Sequence, residues 1–231
     1  PYFEHILISM DTAFSEESHK NADNTACQVW GVFTDPETNV PGMLLLECSS
    51  EKIGFPALRE RAKELWEGQY GTKEQYPNTV LIEDKGSGIS LRQSLQADGI
   101  PVHAYNPGRA DKIQRAHAAS PLLKAGCIYL PESQRNPGQP VTWCESFLEE
   151  VTMFPAPGFL RDQVDAFTQA ANYLRDAGYI SATTTRRGRA DVGDEIHEVS
   201  PDPGGVVLVG LNHVDAVDAH LTTAKQLDVQ A

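Results

Sequence analysis

The chain has 231 residues, of which 40% are hydrophobic and 22% charged, enough for one sizeable core with room for a small appendage. Acids outnumber bases 32 to 19, a formal net charge of −13. This argues against a protein that coats nucleic acid by bulk charge, which needs phosphate-neutralising Lys and Arg, and leaves room for an enzyme that meets nucleic acid locally, through metal ions. No apolar run approaches the roughly 18–20 residues of a membrane span and no secretory signal is visible, so the expectation is a soluble, non-secreted protein with no membrane partner.

The run His5-Ile6-Leu7-Ile8-Ser9-Met10-Asp11 predicts a strand covered on both faces. A polar turn over residues 16–24 leads to a second strand at 26–33, which carries Val29, Trp30, Val32 and Phe33. Asp35-Pro36 and residues 39–42 break the chain before a third strand, Met43-Leu44-Leu45-Leu46-Glu47-Cys48. Short polar links between consecutive strands predict an antiparallel meander. The period then changes. Leu58, Ala62, Leu65 and Trp66 fall at helical spacing within residues 56–70. A fourth strand at 79–83 precedes Gly86-Ser87-Gly88 and a second helix with Ile89, Leu91 and Leu95, stopped by Asp98-Gly99.

A fifth strand is predicted at 102–105, a helix over 111–125 and a short strand at 127–130. After a loop rich in Pro, Gly and Asn at 131–140, helices are predicted over 142–153 and 161–175. The pattern is α/β: a mixed sheet, three-strand antiparallel meander first and parallel strands after it, with helices on both faces. That domain is expected to occupy residues 1–179. Residues 180–231 are expected to be a linker, tail or small appendage, in which 206–209 could add a strand. Cys27, Cys48, Cys127 and Cys144 contain no CxxC pair and read as small buried hydrophobes of a reduced compartment. Trp30, Trp66 and Trp143 are expected in the core, His117 in a structural role, and His213 and His220 on a solvated helix face.

Three acids fall at element ends: Asp11 closes the first strand, Glu83 the fourth, and Asp162 opens the last helix with Asp165 at i+3 on the same face. If the first and fourth strands are neighbours, Asp11 and Glu83 leave the sheet side by side. Pro155, Pro157 and Gly158 then allow the turn that delivers Asp162 to them. Gathered carboxylates repel, and their pKa values rise unless a cation binds them. All-oxygen donors select Mg²⁺ or Mn²⁺ over Zn²⁺. Two such ions activate water and stabilise the leaving oxygen of a phosphodiester. On spacing alone, solvated or helix-capping acids remain the alternative.

The segment Ser9-Met10-Asp11-Thr12-Ala13-Phe14, with Asn24-Thr25-Ala26-Cys27-Gln28-Val29-Trp30-Gly31-Val32 after it, resembles the nuclease domain of tailed-bacteriophage terminase large subunits. So do Val80-Leu81-Ile82-Glu83-Asp84-Lys85-Gly86-Ser87-Gly88 and Phe159-Leu160-Arg161-Asp162-Gln163-Val164-Asp165-Ala166-Phe167-Thr168-Gln169-Ala170. The blocks follow the family's order across residues 5–175. The resemblance implies an RNase H/RuvC-like fold, two divalent ions (Mg²⁺ or Mn²⁺), and cutting of double-stranded concatemeric viral DNA during genome packaging.

By position, Asp11 matches the first-strand metal ligand, Glu83 the fourth-strand acid and Asp162 the last-helix acid; these would be the catalytic ligands. Asp165 would be an additional ligand or a supporting group. Asp84 could replace or assist Glu83, although strand alternation sends the two to opposite faces. The implied partners are double-stranded DNA, a portal protein, the small terminase subunit and the ATPase half of a longer protein, in the host cytoplasm.

One departure is that the family usually reads His-Asp-Asp where this chain has Leu160-Arg161-Asp162. No GxxxxGK[ST] is present, and the chain begins at Pro1, so the expectation is an excised C-terminal nuclease domain without its N-terminal ATPase. Gly86-Ser87-Gly88 reads as a tight turn that lets backbone approach the metals or DNA. Expected phosphate contacts are Lys85, Arg161, Arg186, Arg187 and Arg189, with Arg92, Lys112 and Arg115 as further bases scattered on helices. The rival readings are a RuvC-like resolvase of branched DNA and a non-catalytic portal-docking module.

Overall fold

The computed structural model of the chain describes residues 1–12, 24–36, 38–156, 161–182 and 206–208. The predicted meander forms: β1 (His5–Asp11), β2 (Thr25–Thr34) and β3 (Pro41–Glu51) run antiparallel, Ile8 opposite Val29 and Val29 opposite Glu47. β4 (Thr79–Glu83) lies parallel to β1, β5 (Val102–Tyr105) parallel to β4, and β6 (Ile128–Pro131) parallel to β3. β7 (Val206–Leu208) joins the same sheet antiparallel to β6, giving the order β5-β4-β1-β2-β3-β6-β7.

Alternation along the strands divides the core in two. Leu7, Trp30, Val32, Met43, Leu45 and Leu81 face α3 (Lys112–Lys124), α4 (Glu145–Met153) and α5 (Asp162–Asp176). Ile6, Ile8, Met10, Val29, Val80 and Ile82 face α1 (Phe55–Glu67) and α2 (Ser87–Ala97). With both faces covered, β1 and β2 can be apolar almost throughout. Leu58, Ala62 and Leu65 form the buried stripe of α1, at the spacing that predicted it.

α3 starts at a capping box: the Gln114 N–H donates to Asp111 at 2.8 Å, and the Asp111 N–H to Gln114 Oε1 at 3.0 Å. Pro121 lies inside this helix, and the Ser120 hydroxyl donates to the His117 carbonyl at 3.0 Å, the acceptor that a proline four residues on leaves without its N–H.

α5 differs most from an ordinary amphipathic helix. It is buried from Gln163 to Asn172, and its small residues Ala166, Ala170 and Ala171 allow it to lie close over β1 and β2. Trp30 packs between Phe147 and Phe167, with ring centroids 5.7 Å from each. Trp66, near the end of α1, is half-buried, whereas Trp143 is 41% exposed and corrects the expectation that it packs in the core. It lies in a 3-10 turn, Thr142–Cys144, that precedes α4 and faces solvent. None of the four cysteines is in a disulfide, and Cys27, Cys127 and Cys144 are buried. Among the described residues no helix is long and apolar enough to cross a membrane.

Candidate active site

The pairing of β1 with β4 runs from Leu7 opposite Thr79 to Met10 opposite Ile82. One step further, Asp11 and Glu83 stand level at the ends of adjacent parallel strands. Asp11 alternates in phase with Leu7, and Glu83 with Leu81, so both leave the sheet on the α5 side. Asp84 goes the other way and is held by Arg92 of α2, Nη2 to Oδ1 2.9 Å. The chain then turns sharply at Gly86, φ +46°. Ser87 Oγ donates to the Thr12 carbonyl at 2.8 Å, tying the end of β1 to the start of α2. A Cβ on Gly88 would lie 2.1 Å from the Glu83 carbonyl oxygen. The glycine-rich turn thus serves close packing of α2 on the strand that carries Glu83.

Asp162 and Asp165 occupy the first turn of α5, where the positive end of the helix dipole favours acids. A buried polar network docks this turn. Gln28 Nε2 donates to the Gln163 carbonyl at 2.8 Å and to Gln163 Oε1 at 2.7 Å, and Ser9 Oγ donates to the Ala166 carbonyl at 2.8 Å. Gln169 Nε2 donates to Ser9 Oγ and to the Leu81 carbonyl, each at 3.1 Å, bridging β1 and β4 just behind the two acids. The Gln163 N–H donates to Glu150 Oε2 of α4 at 2.9 Å, a cap supplied from another helix.

The charges are coupled. Asp165 has only 5% of its side chain exposed and pairs with Lys112 and, at 2.6 Å, with Arg115. Arg115 Nη1 lies 3.9 Å from Glu83 Oε2, and Lys85 Nζ 3.0 Å from Glu83 Oε1. Burial pushes the Asp11 carboxyl up to about 7; the negative charges of Asp165, Glu83 and Asp162 push the same way, and Lys112 opposes them. Glu150 is likewise pushed up to about 7, by burial first and then by Asp162 and Asp165, against the bond from Gln163. Asp11, Glu83, Asp162 and Asp165 therefore act on one another through a poorly hydrated space.

The donors are hard oxygens, and the raised Asp11 pKa marks negative charge that is incompletely balanced. Both features fit a divalent cation of the Mg²⁺ or Mn²⁺ kind. Among the described residues no three such side chains are already gathered tightly enough to hold an ion. Two cations of α3, Lys112 and Arg115, are engaged with the acids instead.

Residues 8–174 match the model of the Terminase RNaseH-like domain. The chain belongs to this family. The matched span covers all four acids, and the sheet order and its two covered faces are those of an RNase H-like fold. Among solved structures, the fowlpox virus Holliday junction resolvase is similar at 16% identity and a TM-score of 0.40, covering 74% of this chain and 99% of its own. RuvC of Thermus thermophilus is similar at 14% and 0.37, covering 75% and 97%. No curated protein matches.

In this terminase RNaseH-like domain the bases expected to meet DNA separate into groups. Lys85 is 71% exposed beside Glu83. Arg161 stands at the N-cap of α5, its Cζ 5.9 Å from the Phe154 ring centroid. Lys112 and Arg115 turn inward to the acids, and Arg92 is taken by Asp84. Arg186, Arg187 and Arg189 lie outside the described residues, as do His213 and His220. Gln28, Glu150, Gln163 and Gln169 support the site without belonging to any motif; the one visible signal in the sequence is a glutamine inside the otherwise apolar β2.

Proposed function

We propose that this chain is a divalent-metal-dependent endonuclease domain that cuts double-stranded concatemeric viral DNA during genome packaging. The observation that carries this reading is the convergence of Asp11 and Glu83, level on adjacent strand ends, with Asp162 and Asp165 in the helical turn above them. Membership of the terminase family supports the same reading.

Asp11, Glu83 and Asp162 would hold two Mg²⁺ or Mn²⁺ ions, with Asp165 assisting and Asp84 outside the set. Such ions, when bound, supply water activation and neutralise charge on the phosphodiester. The chain's own contribution is placement. Strand ends tied through Ser87 and Gln169 hold Asp11 and Glu83, and the Gln28 and Glu150 contacts hold the turn that carries Asp162. Burial of Asp11 keeps its attraction for a cation from being screened by water.

Lys85 and Arg161 stand where a DNA phosphate would approach. With a net charge of −13, the domain would bind duplex weakly and in a salt-sensitive way. Portal protein, small terminase subunit and an ATPase half would then present the DNA, in the host cytoplasm. The nuclease domain would span residues 1–179, with Ile180 in its core and Val206–Leu208 as an edge strand of its sheet. The rest of 180–231 would serve as a linker or appendage, with Arg186, Arg187 and Arg189 as its phosphate or partner contacts.

The test is cleavage of plasmid and of a four-way junction by the purified chain with Mn²⁺, Mg²⁺ or EDTA, beside Asp11→Asn and Asp162→Asn. Metal-dependent cutting of the plasmid, lost in both variants, is expected. Wild-type rates in either folded variant would refute the assignment, and cutting of the junction alone would make the domain a resolvase.

A further inference from the structure

We propose that Lys112 is a displaceable counter-cation of the acid cluster: it must withdraw for a divalent ion to bind, while Arg115 stays in place. This rests on the metal-dependent reading above.

The two bases sit at i and i+3 on α3, so they share a face, and both reach Asp165. Their situations differ. The Arg115 side chain is 9% exposed and spans Asp165 and Glu83. Its carbonyl accepts from Asn172 Nδ2 at 3.2 Å, and Arg175 is bonded to both the Ala118 carbonyl and Asn172 Oδ1, so α3 is stapled to α5 around it. Lys112, in the first turn of α3, is 49% exposed and ends a flexible four-carbon stem. Withdrawal of Lys112 needs only side-chain rotation into solvent, whereas withdrawal of Arg115 would unseat a buried pair.

Charge balance points the same way. Lys112 and Arg115 already crowd Asp165 with positive charge. A divalent ion entering beside Asp165 would meet both. The ammonium in direct contact with Asp165, which also feels Asp11 and Asp162, is the one that repels an entering ion at close range.

Isothermal titration of Mn²⁺ into the full chain tests this, with Lys112→Met, Lys112→Arg and Asp11→Asn beside wild type and melting temperatures measured in EDTA. Lys112→Met should bind Mn²⁺ about three- to tenfold more tightly, the effect of removing one partly exposed competing charge. It should also melt lower in EDTA, because Asp165 loses a partner. Lys112→Arg, which keeps the charge, should restore the wild-type affinity. A merely structural lysine would lower melting without tightening the ion. Unchanged or weaker Mn²⁺ binding in Lys112→Met, while wild type binds and Asp11→Asn does not, would overturn the proposal and leave the metal centre standing. No Mn²⁺ binding in wild type or in Lys112→Met would overturn both. Binding in Lys112→Met alone would support the proposal in its strongest form.

Discussion

Arg115 and Asp165, fifty positions apart, form an ion pair of 2.6 Å with 9% and 5% of their side chains exposed. Breaking such a pair from one side leaves a buried charge with too few partners, and is far more damaging than loss of a surface bridge. Lys112 remains on Asp165 and softens the effect. Arg115→Met should therefore destabilise the metal-free chain by about 3 kcal/mol, and Arg115→Lys by less. Urea denaturation in EDTA measures both, and a loss within experimental error for Arg115→Met would show that the pair contributes nothing to the fold.

The Asp11 carboxyl gives a prediction with a definite sign. Its folded pKa is pushed up to about 7, against an ordinary value of 3.8. Between those values the folded chain holds a proton that the unfolded chain has released, so the Asp11 contribution to metal-free stability falls as pH rises and levels off above 7, while buried His5, its pKa lowered, works in the opposite direction. Glu150, also pushed up to about 7, adds a decline of the same sign. Asp11→Asn should remove its share, leaving the variant more stable than wild type at pH 8 in EDTA by an amount on the order of a few kcal/mol. Melting curves of wild type and Asp11→Asn from pH 4.5 to 8.5 decide this; a difference between the two that does not change with pH would contradict the placement of Asp11.

What was legible in the sequence was local. That each strand ends at an acid follows from its apolar run, and alternation alone separates Glu83 from Asp84; that the two ends stand level depends on the pairing of β1 with β4. The shared face of Asp162 and Asp165 follows from helical spacing. Lys112 and Arg115 read as candidate DNA contacts and instead pair with the acids, because the direction their helix face takes depends on how α3 packs on α5, which no spacing encodes. The same holds for the glutamines: Gln28 and Gln163 meet across 135 positions, and Gln169 meets Ser9 across 160. Trp143 misled because an aromatic residue in the first turn of a predicted helix looks like core, whereas the α-helix starts only at Glu145. It lies instead in a turn that closes the loop before α4.

Gln169 is the side chain on which this long-range part depends most. It donates to Ser9 Oγ, the Met10 carbonyl and the Leu81 carbonyl from a position 3% exposed, so its loss removes a buried polar link between α5 and both strands. Gln169→Leu keeps the volume and removes the bonds. It should cost about 2–3 kcal/mol and loosen the β1–β4 junction behind Asp11 and Glu83. Hydrogen exchange of the β1 and β4 amides, with urea denaturation alongside, tests this; full protection in the variant would show that the bridge is dispensable.

Gly88 makes the last prediction, because its constraint is spatial and bears on the site. An added Cβ would stand 2.1 Å from the Glu83 carbonyl oxygen and 3.0 Å from Ile82 Cγ2, a backbone overlap that no rotamer relieves. Either α2 lifts from the sheet or the end of β4 moves, and Glu83 moves with it. Gly88→Ala should therefore lower the melting temperature and also weaken Mn²⁺ binding. Gly99 provides the comparison. It ends α2 at φ +82° with open space where a Cβ would go, so Gly99→Ala strains the backbone by about 1 kcal/mol without reaching the acids. Both variants should melt below wild type, and only Gly88→Ala should lose affinity for Mn²⁺. Equal Mn²⁺ affinity in the two would mean that the contact of α2 with the end of β4 stabilises the fold but does not place Glu83.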